Sequence, residues 1–428
     1  MSTTTAPAPL LPARANAVAA RRSWRQPVVL WVMGLLALLA FGLGSPAGTT
    51  SGFGLSTASQ AIQLPVVVLP TRVTALVLSV LGLAVAGWVT YLVAARRPVR
   101  TGLSVLFGVL FAVAFLVWAV ADAQISFVSL LQGSLFLATP LVFGALGGVL
   151  CERAGVINIA IEGQLLAGAF LSAVVASLVD NVYVGLVAAP VAGLFFGWLL
   201  AVFAIRYLVD QIVLGVVLNV LVLGLTSFLY GQVLVQNADV WNQPGRLPRV
   251  AVPVLSEIPV LGPVLFQQSL VVYLMYVAVV GLHVALFRTR WGLRVRAVGE
   301  HPKAADTAGI DVNKVRFRNV MMGGAMAGLG GAFFTLGSVG AFGEEMTAGQ
   351  GFIALAALIF GRWSPLGALV AALIFGFAGN LQSVLSIIGT PIPGEVLLMA
   401  PYLATIFAVA GLVGKVRAPA ADGVPYRQ

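Results

Sequence analysis

Cys151-Glu152-Arg153-Ala154-Gly155-Val156-Ile157-Asn158-Ile159-Ala160-Ile161-Glu162-Gly163-Gln164 is a polar island between two long apolar stretches. It carries two carboxylates, one guanidinium and two carboxamides, while its flanks carry almost no charge. Ionisable groups left unpaired in lipid are costly. Such a cluster either pins a helix end at a membrane interface or lines a polar path. Both readings make the flanks membrane spans, and that sets the fold class.

The composition agrees. Hydrophobic residues make up 60% of the 428 residues and charged residues 9%, more apolar surface than a soluble domain needs. The apolar runs suit helices rather than barrel strands. The expected fold is all-α, a polytopic transmembrane bundle of about twelve spans, each near the ~20 residues a bilayer requires. They are expected at 28–44, 73–95, 102–121, 127–150, 159–179, 182–205, 212–235, 270–287, 316–338, 347–361, 365–388 and 395–414. The 347–361 run is short for a span and leaves a re-entrant segment open. The first run follows a basic tail and precedes small residues, as a signal peptide does. An uncleaved helix is preferred, because the charge pattern then holds to the end of the chain.

The net charge of +10 is distributed for a membrane, not for nucleic acid. With the N-terminus inside, 21 of the 24 Lys and Arg residues fall on the cytoplasmic side, and only Arg72, Arg246 and Arg249 lie outside. This positive-inside bias sets the orientation, with both termini cytoplasmic. A single cysteine excludes an intrachain disulfide framework. With Cys151, His283 and His301 the only soft ligands, no metal site is expected. The chain divides into a disordered tail (1–26), an N-terminal membrane extension (27–121), a main transmembrane domain (122–415) and a second tail (416–428). Residues 45–65 and 236–269 are expected as external loops.

Gly193-xxx-Gly197 and Gly324-xxx-Gly328 are spacings that allow close helix approach in lipid. The internal loop 288–315 and its flanks hold eight basic residues between Arg288 and Arg318. Pro302 suits a first helical turn, Ala304, Ala305 and Ala308 favour helix, and Gly309 can end it. A short helix with a smooth alanine face suits docking to a partner; a solvated connector with a basic rim is the alternative. No G-x-x-x-x-G-K-[ST] phosphate loop is present, so an ATPase driving transport would be another polypeptide.

Thr139-Pro140 through Glu162-Gly163, Gly292 through Ile310, Met346 through Ala368, Pro401-Tyr402 through Thr405, and Ala418-Pro419 through Tyr426 together carry a resemblance. The chain resembles the permeases of bacterial ABC importers of the ribose and branched-chain amino acid type, nucleoside branch, over roughly residues 125–428. The resemblance implies a multi-pass protein of the bacterial cytoplasmic membrane that imports nucleosides and is not itself an enzyme. It implies a second related permease, a cytoplasmic ATP-binding subunit holding ATP and Mg, and an extracytoplasmic substrate-binding lipoprotein. Glu300, Pro302, Ala304, Ala305, Asp306 and Gly309 would then couple to the ATPase. Here Lys303 stands where ABC permeases often carry the Glu of E-A-A-x-x-x-G. A bulky charge at Ala305 is expected to uncouple hydrolysis from uptake.

Asn158 and Glu162, four apart, would share a helix face. With Gln164, Asn219, Asn380, Phe333 and Phe334 they are the candidates for the substrate path. Carboxamides and a carboxylate suit a neutral ligand rich in donors and acceptors, and one of the two adjacent phenylalanines could stack on a base. Equally, Glu152–Arg153 would mark a helix end, and Asn158 and Glu162 would satisfy backbone freed near Gly155 and Gly163. Simple-sugar import and an ion-coupled carrier are the alternatives; for the latter only Glu162 is a fair titratable candidate. No catalytic constellation is visible.

Overall fold

The computed structural model describes residues 24–56, 60, 63–388, 399 and 417–427. The helices are α1 (Arg25–Leu43), α2 (Thr71–Ala94), α3 (Thr101–Ala119), α4 (Phe127–Glu152), α5 (Ile161–Val179), α6 (Val182–Arg206) and α7 (Gln211–Leu234). The short α8 (Ala238–Trp241) and α9 (Leu261–Phe266) follow. Next come α10 (Leu270–Arg288), α11 (Arg290–Glu300), α12 (Pro302–Thr307), α13 (Val312–Val339), α14 (Gln350–Phe360) and α15 (Pro365–Ile388). Among the described residues, ten of these (α1–α7, α10, α13 and α15) are long and apolar enough to span a membrane. They match ten of the expected spans. The span expected at 395–414 lies outside the described residues, as does most of the 1–26 tail.

Two other expectations change. The 45–65 stretch is not all loop, because β1 (Thr50–Gly54) pairs antiparallel with β2 (Val67–Pro70) and parallel with β3 (Gln124–Ser126). The 236–269 segment holds α8, α9 and an antiparallel pair, β4 (Arg249–Ala251) with β5 (Gln267–Ser269).

The chain divides into two compact units, one of residues up to Ser45 with Arg72–Leu116, the other of Pro46–Thr71 with Val117 onward. In the first, Leu30, Ala86, Val89 and Phe107 form a small core, and Phe41 packs edge-on against Phe111 and Phe115.

In the second unit α4 is the most buried span, with α15, α13 and α14 packed on it, and α5, α6 and α13 pack on one another. Polar side chains set the helix starts. Ser126 caps α4, Asn181 caps α6, Asp210 caps α7 and Asp311 caps α13, each accepting from an amide of the first turn.

Between helices the contact is backbone on backbone. A Cβ added at Gly193 would stand 2.1 Å from the Gly324 carbonyl oxygen, and one at Gly168 would stand 2.1 Å from that of Gly328. The two small-residue motifs therefore meet each other. In lipid such association relies on close van der Waals approach, since exclusion of apolar surface supplies no drive.

The 347–361 run forms only α14. Eleven residues rise ~16 Å, short of the ~30 Å apolar layer. Residues 340–349, which precede it, are non-helical. Phe342 lies against Phe170 in the middle of α5, Thr347 against Glu162 at its start, and Trp363 against Glu152 and Arg153 at the end of α4. Gly144 and Gly148 of α4 meet Ala354 and Leu358 of α14 in parallel order, so both helices run toward the same, basic end of the molecule.

Gly193→Ala should cost about 1–3 kcal/mol through overpacking. Gly281→Ala, where nothing lies within 4 Å, should cost nothing measurable. Thermal unfolding of the two detergent-solubilised variants, run side by side, checks this difference.

Candidate functional site

The island begins where α4 ends. Glu152, buried, accepts a hydrogen bond from Trp363 Nε1. Arg153 donates from Nε to the Trp363 carbonyl at 2.8 Å and from Nη2 to the Arg362 carbonyl at 3.2 Å. Arg362 and Trp363 both adopt positive φ, at 54° and 51°, a conformation that costs a non-glycine residue about 1–2 kcal/mol. The Glu152–Arg153 pair thus holds the strained turn between α14 and α15. Phe287 lies 5.8 Å from the Arg153 guanidinium.

The chain then turns at Gly155, where φ is +86° and a Cβ would stand 2.8 Å from Arg316 Nη2. The 156–160 stretch is not helical, and α5 starts at Ile161. The expected shared face of Asn158 and Glu162 is therefore corrected: the helix that would align them has not begun at Asn158. Asn158 is fully buried and ties this stretch together. Its Nδ2 donates to Gln164 Oε1 at 2.9 Å, and its Oδ1 accepts from Ala160 N at 3.1 Å. Gln211 and Asn219 of α7 brace the same backbone. Gln211 Oε1 accepts from Ile157 N at 2.8 Å. Asn219 accepts from Gly163 N at 2.8 Å and donates to the Ile159 carbonyl at 2.9 Å.

Glu162 does something different. Its Oε1 accepts from Thr347 Oγ1 at 2.6 Å and from Gly349 N at 2.8 Å, and its Oε2 accepts from Gly351 N at 2.5 Å. The carboxylate on α5 thereby caps the N-terminus of α14, where the helix dipole and free amides favour a negative charge. A Cβ at Gly351 would stand 2.5 Å from the Glu162 backbone, so glycine is what lets the clamp close.

The remaining path candidates lie apart. Asn380 Nδ2 donates to the Leu130 carbonyl at 2.7 Å, joining α15 to α4. Phe333 and Phe334 are buried, and Phe333 packs 4.4 Å from Phe136. Among the described polar groups of the island, Gln164 Nε2 is the one buried without a hydrogen-bond partner.

At the basic end, Thr289 caps α11, a helix that the sequence pattern does not announce. Pro302 opens α12, and Gly309 follows it at φ +79°. Ala304, Thr307, Ala308 and Gly309 are exposed, whereas Ala305 is buried against Val298, Val312 and Tyr426. A charge at Ala305 would disturb the loop's own packing, so Ala304 and Ala308 are the positions that probe the outer face. Arg316 of α13, 2% exposed, is a buried cation at this end that is absent from the sequence candidates. Its Nη1 donates to the Val424 carbonyl at 2.8 Å and its Nη2 to the Ala421 carbonyl at 3.5 Å. Asp422 lies beside it and Glu152. Burial pushes the Asp422 carboxyl up to about 7, and its contacts with Glu152 and Arg316 pull the other way. Only the position of a cation at the start of an apolar span hints at Arg316. Nothing local in the sequence hints at Trp363, Thr347 or Gln211.

Residues 130–413 match the model of a family described as branched-chain amino acid transport system / permease component. The chain belongs to this family. Helices α1–α3 precede the matched region. The permease is 41% identical to the guanosine ABC transporter permease protein NupQ of Bacillus subtilis (strain 168) over 311 residues, 69% of this chain and 96% of that protein. It is 40% identical to the nucleoside ABC transporter permease protein NupC of Lactococcus lactis over 305 residues, 68% of this chain and 94% of that protein. A putative glucose ABC transporter permease protein, TsgC13 of Haloferax volcanii, is 34% identical over 257 residues, 59% of this chain and 76% of that protein. No solved structure matches the permease.

Glu162→Gln should lower the stability of the permease by about 1–3 kcal/mol, because a side-chain NH2 then faces a backbone N–H. Thr347→Val, which removes one donor, should cost about 1 kcal/mol. Thermal melts of the purified variants measure both. A second expectation concerns Asp422. The docked 417–427 segment holds a proton that the free segment releases between the ordinary 3.8 and about 7, so docking should weaken as pH rises through that window. Amide protection of 417–427, corrected for intrinsic exchange, should be greater at low pH than at high pH within it, and Asp422→Asn should flatten the difference.

Proposed function

We propose that this permease is the membrane-spanning subunit of an ATP-driven importer that carries nucleosides across a bacterial cytoplasmic membrane. The coupling half of this reading is carried by one observation: α12 turns Ala304, Thr307 and Ala308 outward and anchors itself by Ala305. A short helix with a small-residue face, set among eight basic residues between Arg288 and Arg318, suits a groove on a cytoplasmic ATPase. Glu300, Pro302, Asp306 and Gly309 shape that helix and its ends. The positive-inside bias supports a cytoplasmic position for this loop and both termini. ATP and Mg belong to the ATPase subunit. A second related permease and an extracytoplasmic binding lipoprotein complete the system. Residues 122–415 form the transport domain, and residues 27–121 a membrane extension to it.

The substrate half rests on the guanosine and nucleoside permeases among the relatives. The glucose permease among them favours a sugar as the second reading. An ion-coupled carrier needs a titratable group free to take up and release its ion within the membrane. Both oxygens of Glu162 are already committed to protein donors, which argues against that mechanism. Transport itself is an alternation between inward- and outward-open packings, biased by substrate and by the ATPase.

In proteoliposomes holding the whole complex, Ala308→Arg should leave ATP hydrolysis running and cut uptake by at least about tenfold, the loss expected when a coupling contact of ~1.4 kcal/mol or more is removed. Uptake at the parental rate would remove α12 from the ATPase contact. Binding of guanosine, ribose and glucose to the cognate lipoprotein decides the substrate class, and sugar binding without nucleoside binding would replace the nucleoside reading. Uptake that persists with the proton gradient collapsed and ATP present separates this importer from an ion-coupled carrier.

A further inference from the structure

Residues 417–427 cross the basic end of the molecule and touch four separate elements. Ala421 N donates to the Gly299 carbonyl at 2.9 Å, and Ala420 N to Glu300 Oε2 at 3.3 Å, both at the end of α11. Arg316 of α13 donates to the carbonyls of Ala421 and Val424. The Tyr426 ring packs on Ala305, Val298 and Val312, and its hydroxyl is hydrogen-bonded to Asp306 of α12. Over the α4–α5 turn, a Cβ at Gly155 would meet the Ala421 carbonyl at 3.0 Å, and one at Gly423 would meet Ile157 Cδ1 at 2.7 Å.

One short segment therefore touches both α12 and the α4–α5 turn. Soon after Ala305 the chain enters α13 at Val312, and within α12 itself Ala305 is the one buried residue. A helix of six residues is marginal alone and needs an external hold to transmit a force. We propose that the 417–427 segment is a strap that fixes α12 to the α4–α5 turn, so that displacement of α12 reaches Glu162 and the start of α14. The strap is a positioning element, not part of the substrate path. Arg316 is its main anchor, because a buried guanidinium stripped of the two strap carbonyls would be left with unmet donors. The inference rests on the reading of α12 as the ATPase contact, and the experiment separates the two.

The test uses the complete transporter in nanodiscs or proteoliposomes, with four forms of the permease: residues 417–428 deleted, Tyr426→Ala, Ala308→Arg, and the unaltered chain. Hydrogen exchange is followed at residues 297–310. Loss of the strap should raise exchange there about tenfold or more, the scale of losing one local tertiary hold. Uptake should fall about fivefold or more while ATP hydrolysis continues, and a synthetic 417–427 peptide added in trans should restore part of both. Tyr426→Ala, which alters a single side chain, should move the same readouts in the same direction and guards against a misfolded deletion. Unchanged exchange at 297–310 in both variants overturns the strap. Raised exchange with normal uptake, while Ala308→Arg still cuts uptake about tenfold or more, overturns its role in coupling and leaves the ATPase contact intact. Normal uptake in all the variants overturns the coupling reading beneath it.

Discussion

Ten consecutive residues, 340–349, run beside α5 from the level of Phe170 to that of Glu162 without forming a helix. In a lipid-embedded protein, each of their backbone groups needs a partner inside the molecule. Asn242 supplies both a donor and an acceptor to Phe342. Glu162 supplies acceptors for Gly349 and Gly351. The glycines at 349 and 351, the short length of α14 and the turn held by Glu152 and Arg153 all follow from this break. The two ends of the polar island, Glu152–Arg153 and Glu162, supply hydrogen-bond partners on either side of α14.

That is why the island is ambiguous in the sequence. Its residue types serve a polar path and a backbone brace equally well, and only the partners distinguish the uses. Asn158, Asn219 and Glu162 are engaged with backbone, while Gln164 keeps one buried amide without a partner. Pattern alone locates ten spans, since a helix of ~20 apolar residues matches the thickness of the bilayer core and is costly to expose to water. It also locates α12, because Pro302 and Gly309 mark its limits. It does not reveal that Asn158 precedes its helix, that Ala305 faces inward or that Arg290–Glu300 is helical. The first two depend on tertiary partners far along the chain, as the bonds of Arg153 to Trp363 and of Arg316 to Val424 illustrate.

The family membership and the local geometry bear on different questions. Membership accounts for residues 130–413 as a permease component. The geometry describes how its elements are tied together: α12 turns Ala305 inward onto Val298, Val312 and Tyr426, and Glu162 caps α14. Helices α1–α3 stand outside the matched region. The first unit holds its own apolar contacts around Leu30, Ala86 and Phe107.

The glycine seam between α6 and α13 has a mechanical meaning as well. Where a backbone carbonyl meets a Cα directly, as at Gly193 and Gly324, there are no rotamers to freeze on assembly and none to switch afterwards. Such a joint costs little side-chain entropy to form and offers no alternative interdigitation into which it could slip. Helices α5, α6 and α13 are thus joined backbone to backbone, so their mutual register is fixed by the main chain and not by a choice of side-chain packing.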